Sequence, residues 1–196
     1  YRFMGRLRGD QGLIDRAAKM LLDAERPLLV AGGGVIASEA WMEFQNLADT
    51  LGAAATTTPM GSGAISAHHP RFFGDGGWLG GNAVMQALQE ADVIVAVGAH
   101  FSSWLGLGKP PVMPGLSRQK IIQIDLDPTQ LGKKVPIEIG IAGDAKAVLA
   151  DLLLALKEYG QKGKADAKWV EGLVKTYEHY LKSLEPMLGG DTGPIS

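Results

Sequence analysis

The sequence predicts an α/β fold: a parallel β-sheet flanked by helices. Three observations carry that prediction. Leu28-Leu29-Val30-Ala31-Gly32-Gly33-Gly34-Val35 is an apolar run that ends in glycines, and Val93-Ile94-Val95-Ala96-Val97-Gly98 repeats the arrangement further along. Each reads as a strand buried on both faces and running into a tight turn. Between these runs apolar residues recur at helical spacing, and strands alternating with helices imply a parallel sheet whose right-handed crossovers cover both faces. The topology expected is therefore Rossmann-like, of the kind that holds FAD or NAD, with ligands outside the carboxyl ends of the strands.

The elements follow in order. Residues 1–11 form a lead-in segment with Arg2, Arg6 and Arg8 and no periodicity, read as exposed. From Gly12, Leu13, Ile14, Ala17, Ala18, Leu21 and Leu22 fall on one helical face with Asp15, Arg16, Lys19 and Asp23 opposite. Pro27 ends that helix and opens the first strand. Ser38 is expected to cap a helix burying Trp41, Phe44, Leu47, Ala48 and Leu51 and closed by Gly52. Ala53 to Thr58 reads as the second strand, and Pro59 to Gly81 as a glycine-rich connection without elements of its own.

Asn82 is expected to cap a short helix that leads into the Val93–Val97 strand. Ala99 to Gln119 is a second irregular segment, carrying Phe101, Trp104, Leu105, Leu107, Val112 and Met113, whose apolar surface needs a cover. Ile121 to Asp125 is a further strand, and Val135 to Ala142, interrupted by Pro136, reads as an edge strand. Asp144 caps a helix burying Val148, Leu149, Leu152 and Leu156. After a polar break at Gly160 to Lys164 comes a last amphipathic helix, with Trp169, Leu173, Tyr177 and Leu184 on one face. The organisation expected is one α/β domain over residues 12–158, followed by a helix and linker over 159–196. Tyr1 and the linker-like end from Gly189 to Ser196 suggest a piece of a longer protein.

Composition bounds the function. The chain has 196 residues, 46% of them hydrophobic and 20% charged, which allows one well-buried domain. A net charge of -2 gives no reason to expect nucleic acid or an acidic membrane as partner. No apolar run reaches the roughly 18 residues of a spanning helix. The sequence has no cysteine, so disulfides and thiolate chemistry are excluded and a cytoplasmic setting is the simplest.

Gly32-Gly33-Gly34-Val35-Ile36-Ala37 fits the dinucleotide fingerprint G-x-G-x-x-G/A between a strand and a helix. The acid that should end the second strand and hold a ribose is absent, because that strand ends in Thr56-Thr57-Thr58. Three readings stay open: ordinary NAD binding, another adenine-containing ligand, or a tight turn with no ligand. Asp125 ends a strand at the ligand face and could accept either ribose hydroxyls or loop amides. Asp144 is a helix cap whose neighbouring amides could also face a ligand. His68 and His69 lack a clustered third metal ligand. Ser62 in Gly61-Ser62-Gly63 lacks the strand–turn–helix context of a nucleophile elbow. His100, Phe101, Ser102 and Ser103 follow a strand end, but no acid–base couple stands out. The residues describe a site-like face without recognisable catalytic machinery.

Taken together, several stretches resemble the central domain of thiamine-diphosphate-dependent enzymes of the acetolactate synthase type, a group that includes oxalyl-CoA decarboxylase, 2-hydroxyacyl-CoA lyase and sulfoacetaldehyde acetyltransferase. They are Arg26-Pro27 with the strand and glycines that follow, Thr58-Pro59-Met60-Gly61, His69-Pro70, Ala91 to Gly98, Ile121-Ile122-Gln123-Ile124-Asp125-Leu126-Asp127-Pro128, and Gly143-Asp144-Ala145. The likeness runs from about Gly12 to Leu156 and rests on the order and spacing of the stretches. It implies a domain that is not catalytic alone, excised from an enzyme acting on 2-oxo acids or 2-hydroxyacyl-CoA. Thiamine diphosphate and Mg2+ would be held by flanking pyrimidine- and pyrophosphate-binding domains, in a homodimer or homotetramer. The alternative is a self-standing FAD- or adenine-nucleotide-binding module.

In this group the central domain holds FAD in acetolactate synthase and ADP in oxalyl-CoA decarboxylase, and several members keep it with no ligand. The resemblance places such a ligand against Gly32, Gly33 and Gly34, Thr57 and Thr58, Gly74 and Asp75, Gly98, Ala99, His100 and Phe101, Asp125 and Leu126, and Gly143, Asp144 and Ala145. One departure stands out: where flavin-binding members have Gly-x-Arg-Phe-Asp-Asp-Arg, this chain reads Gly98-Ala99-His100-Phe101-Ser102-Ser103-Trp104. Losing the arginine removes a fork that could pair bidentately with phosphate. Gly74-Asp75-Gly76 imitates the opening of the group's metal motif, but no Asn-Asn follows and no strand is expected before it, so it is not read as a thiamine-diphosphate site.

Overall fold

The computed structural model describes residues 5–76, 81–101, 118–160 and 165–188. At its centre, six parallel strands lie in the order β3-β2-β1-β4-β5-β6. They are β1 (Pro27–Ala31), β2 (Ala54–Thr57), β3 (Phe72–Asp75), β4 (Val93–Val97), β5 (Lys120–Asp125) and β6 (Ile139–Ala142). The helices are α1 (Gln11–Leu22), α2 (Gly33–Ala37), α3 (Trp41–Leu51), α4 (Asn82–Glu90), α5 (Ala145–Glu158) and α6 (Ala167–Leu188).

β1 and β4 are buried at every position, as strands covered on both faces must be. The two-residue period of the strands divides their side chains between two cores. Leu29, Ala31, Val95, Val97, Ile122 and Ile124 pack with Ile14 and Ala17 of α1, Phe44 and Leu47 of α3, and Val148 and Leu149 of α5. Leu28, Val30, Ile94, Ala96 and Ile121 pack on the other side with Val84 and Leu88 of α4 and with Trp169 and Leu173 of α6. The sheet grows outward from β1 through β2 and β3, then restarts beside β1 with β4. The carboxyl ends of β1 and β4 are therefore the topological switch point.

Several expectations are corrected. The connection from Pro59 to Gly81 contains β3, an edge strand only four residues long, paired to β2 with an irregular register and with Gly74 at φ 95°. Gly74-Asp75 thus belongs to a strand, contrary to expectation, and Phe72-Phe73 precede it within β3. Ser38 ends α2 and does not start α3; Glu39 turns the chain at φ 55° and Ala40 precedes α3 without a side-chain cap. Trp41, expected inside, is 40% exposed in the first turn of α3. Asn82 is the first residue of α4, and the position before it is Gly81, so no side chain caps that helix.

Other expectations match the structure. Asp144 caps α5 by accepting the Ala147 N–H at 3.2 Å. β6 holds the edge expected of it, over Ile139–Ala142 and without Pro136. The lead-in segment is exposed at residues 5–8 but tethered: Arg6 pairs with Asp144 at 2.9 Å, and Arg8 pairs with Asp151. α6 does more than trail the domain, because Trp169 and Leu173 are buried in the second core. Its Trp169 Nε1 donates to Glu90 Oε2 at 2.9 Å, and Tyr177 meets Phe73 edge-on with centroids 6.0 Å apart. Among the described residues no helix is long and apolar enough to cross a membrane. Ser102, Ser103 and the apolar residues from Trp104 to Met113 lie outside the described residues, as do Tyr1 to Met4, residues 161–164 and 189–196.

Candidate functional site

The glycines after β1 are explained by the backbone beside them. The Gly32 N–H donates to Val97 O at 2.9 Å, and the Gly34 N–H donates to Gly98 O at 3.1 Å. A Cβ on Gly32 would fall 2.0 Å from Gly98 O, and one on Gly34 would fall 2.7 Å from Gly98 Cα. Gly98 itself sits at φ 54°, and a Cβ there would meet Gly34 Cα at 2.4 Å. The chain leaving β1 therefore crosses the chain leaving β4 with no room for side chains. Gly33 differs, since its added Cβ would lie 3.3 Å from the Cβ of Met60, a side chain 78% exposed.

This crossing forms the wall of a cavity of about 610 Å³ at the carboxyl ends of the strands. Of the predicted residues, Gly33 and Gly34 contribute from the β1 end, Thr58 from the β2 end, and Gly98, Ala99 and His100 from the β4 end. Asp125 and Leu126 line it from the end of β5, and Gly143, Asp144 and Ala145 from the β6–α5 junction. Five predicted residues do not line it. Gly32 is consumed by the crossing just described. Thr57 is buried and hydrogen-bonded through its hydroxyl to the Asp75 carboxylate, and the Thr56 hydroxyl donates to Gly74 O at 2.8 Å. Gly74 and Asp75 are thus tied to β2. Phe101 is buried in the second core and borders a smaller cavity of about 280 Å³ with Lys133 and Lys134.

Sequence reasoning missed Ala37, Ser38, Pro59, Met60 and Ile124, which also line the larger cavity. Pro59 and Met60 could have been found by extending the rule of carboxyl ends to β2. Ser38 was hidden by its resemblance to a cap. It is 7% exposed, and its hydroxyl is buried without a hydrogen-bond partner.

The polar groups of the cavity are few and specific. Asp125 is 8% exposed; its Oδ1 accepts the Asp127 N–H at 3.0 Å, while Oδ2 lies 3.4 Å from His100 Nε2. Asp144 divides its carboxylate between the Ala147 N–H and the Arg6 guanidinium. His100 is the one basic side chain on the lining among the described residues. A buried carboxylate and an unsatisfied hydroxyl suit the hydroxyls of a sugar. Among the described residues no serine hydroxyl is hydrogen-bonded to His100, whose recorded partner is Asp125.

The described residues do not fit thiamine diphosphate and its metal. Asp75 of the Gly74-Asp75-Gly76 sequence accepts the Thr57 hydroxyl, and no group of three or more His, Cys, Asp or Glu able to hold a metal occurs among the described residues.

Residues 14–152 match the family described as thiamine pyrophosphate enzyme, central domain. The chain belongs to that family. This central domain is 41% identical over 183 residues to a protein named "Probable acetolactate synthase large subunit" from Methanocaldococcus jannaschii, covering 93% of this chain and 29% of the relative. It is 34% identical to the acetolactate synthase of Mycobacterium avium, over 92% of this chain and 29% of that one. The sulfoacetaldehyde acetyltransferase of Alcaligenes xylosoxydans xylosoxydans is 37% identical over 74% of this chain and 24% of that one. Among solved structures, a candidate thiamin diphosphate-dependent enzyme from Mycobacterium smegmatis superposes with a TM-score of 0.65 at 23% identity. That match covers 80% of this chain and 30% of the other, and it shows the shared fold. The central domain thus spans about 29% of the length of the acetolactate synthases it resembles.

Proposed function

We propose that this chain is the nucleotide-binding centre of an acetolactate synthase-like enzyme that uses thiamine diphosphate and Mg2+ on 2-oxo acids. The names of its relatives support the reaction class, with 2-hydroxyacyl-CoA as the second substrate class that the family resemblance allows. The cofactor and the chemistry belong to flanking pyrimidine- and pyrophosphate-binding domains, and the intact enzyme is a cytoplasmic homodimer or homotetramer. Within the chain, residues 12–158 form the domain proper, residues 1–11 lead into it, and residues 159–196 add Trp169 and Leu173 of α6 to its second core and continue toward the pyrophosphate-binding domain.

The observation that carries the role of this domain is the cavity at the switch point, with Asp125 nearly buried at its wall. A carboxylate at the end of a parallel strand is placed to accept ribose hydroxyls. In this reading the adenosine of ADP rests between Asp125 and Ser38, and the diphosphate runs toward His100. FAD is the weaker candidate, because His100 stands where an arginine fork would clamp a larger diphosphate ligand. The domain contributes binding and architecture but no proton transfer.

Incubating the chain with pyruvate, thiamine diphosphate and Mg2+ tests this division of labour. The expected result is no CO2 release above the uncatalysed level. Thiamine-dependent release by this chain would place the chemistry here and overturn the reading.

A further inference from the structure

The charges around the larger cavity do not balance, and His100 sets the difference. The lining carries two carboxylates, Asp125 and Asp144, and His100 is its one basic side chain among the described residues. Asp144 is answered from outside the lining by Arg6, at 2.9 Å. Asp125, nearly buried, has no such partner except His100, whose Nε2 lies 3.4 Å from Asp125 Oδ2. Its other oxygen, Oδ1, accepts the Asp127 N–H at 3.0 Å. With a neutral imidazole the wall around Asp125 is therefore net negative, and with a protonated one it is balanced.

His100 also stands where two cavities meet. It lines the larger one beside Asp125 and the smaller one, of about 280 Å³, beside Lys133 and Lys134. Its side chain is 59% exposed, so a ligand in the larger cavity can touch it. The charged groups that face it are Asp125 at the end of β5, the two lysines ahead of β6, and Asp144 before α5 in the same lining. Asp127, the next carboxylate along the chain, is occupied by Thr129 and Gln130. Asp125 attracts an imidazolium and the lysines repel it; an incoming phosphate adds to the attraction.

A nucleotide brings an uncharged nucleoside and an anionic phosphate to this wall. The phosphate fits beside Asp125 only when His100 is charged, and histidine is the side chain that gains or loses its charge between about pH 5 and pH 8. Holding the phosphate is thereby linked to the uptake of a proton.

We propose that His100 decides whether the cavity accepts the phosphate part of a nucleotide, and that it does so by taking up a proton as the ligand binds. The nucleoside part is held through Asp125 and is indifferent to that proton. This specificity rests on the reading of the cavity as a nucleotide site.

The test is isothermal titration of the 196-residue chain with adenosine and with the β-methyl ester of ADP, at about pH 5.5 and about pH 8. The ester has no terminal phosphate that titrates, so its own charge is the same at both values. It is expected to bind roughly tenfold more tightly at the lower pH, with proton uptake shown by buffers of different ionisation enthalpy, while adenosine changes by no more than about twofold. His100→Gln should bind the ester weakly at both pH values, and His100→Arg should bind it at the higher pH as tightly as the wild type does at the lower. Adenosine binding without any effect of pH on the ester would overturn this proposal alone, as would a pH effect that survives in His100→Gln. Absence of binding by both ligands at both pH values would overturn the nucleotide reading of the cavity and this proposal with it.

Discussion

Gly34 and Gly98 meet backbone to backbone: the Gly34 N–H donates to Gly98 O at 3.1 Å, and a Cβ on Gly98 would sit 2.4 Å from Gly34 Cα. This contact fastens the end of β1 to the end of β4, the two strands between which the topology reverses. The open space that forms the larger cavity lies directly outside it.

Gly98→Ala therefore combines a left-handed backbone with a clash against backbone, and it is expected to cost about 3 kcal/mol or more. Gly33→Ala meets the Cβ of Met60 at 3.3 Å and its backbone O at 3.5 Å, and replaces glycine within a helix, so its effect stays within about 1 kcal/mol. Urea unfolding of the two variants checks the contrast. Equal stability would contradict a close backbone contact between Gly34 and Gly98.

If α6 is a working layer of the fold, then truncating its buried side chain is costly. Leu173 is fully buried, whereas Leu181 on the same helix is 46% exposed. Leu173→Ala should lose about 2–5 kcal/mol and Leu181→Ala no more than about 0.5 kcal/mol, measured by thermal or chemical unfolding.

Asp144 holds the first turn of α5 and a guanidinium at once. Removing it in Asp144→Ala is expected to cost about 1–2 kcal/mol, mostly the lost cap. Arg6→Ala should cost no more than about 0.5 kcal/mol, because Arg6 is 44% exposed and its ion pair is solvated. Denaturant midpoints of the two variants separate the contributions.

Much of the fold was legible in the sequence because its central strands are continuous apolar runs and its longer helices are periodic. Ile14, Phe44, Val148 and Leu173 all point inward as their spacing predicts. What escaped was set by tertiary contact. β3 is four residues of edge strand whose pairing depends on β2, with Gly74 in a conformation no pattern encodes. Ser38 has the chemistry of a cap, and only the intervening α2 shows that it ends one helix and does not begin the next. The glycine triplet marks a tight turn in the sequence, but that Gly98 is its backbone partner shows only in the structure. The carboxyl-end rule reaches Asp125 and His100 on the cavity wall, whereas the family resemblance also places Thr57 and Asp75 there, and these two satisfy one another.

Asp127 offers a pH-dependent check beside the site. The Thr129 hydroxyl donates to its carboxylate at 2.7 Å, the Thr129 N–H at 2.9 Å and the Gln130 amide at 3.2 Å. These bonds, the hydroxyl foremost, hold the Asp127 carboxyl below the usual carboxylate range. Its folded value is lower than its unfolded one, so any stabilisation is present above the ordinary range and is lost as pH falls through the depressed value. A carbon-detected NMR titration should show the low midpoint, and Thr129→Ala should return it toward the ordinary value.

Asp125, at the end of β5, is the residue proposed to hold a ligand without taking part in chemistry. Titration of ADP into the chain and into Asp125→Ala tests that most directly. The expected result is saturable one-to-one binding by the wild type, weakened by about tenfold or more when the carboxylate is removed. Identical affinities for the two proteins, or no binding by either, would contradict it.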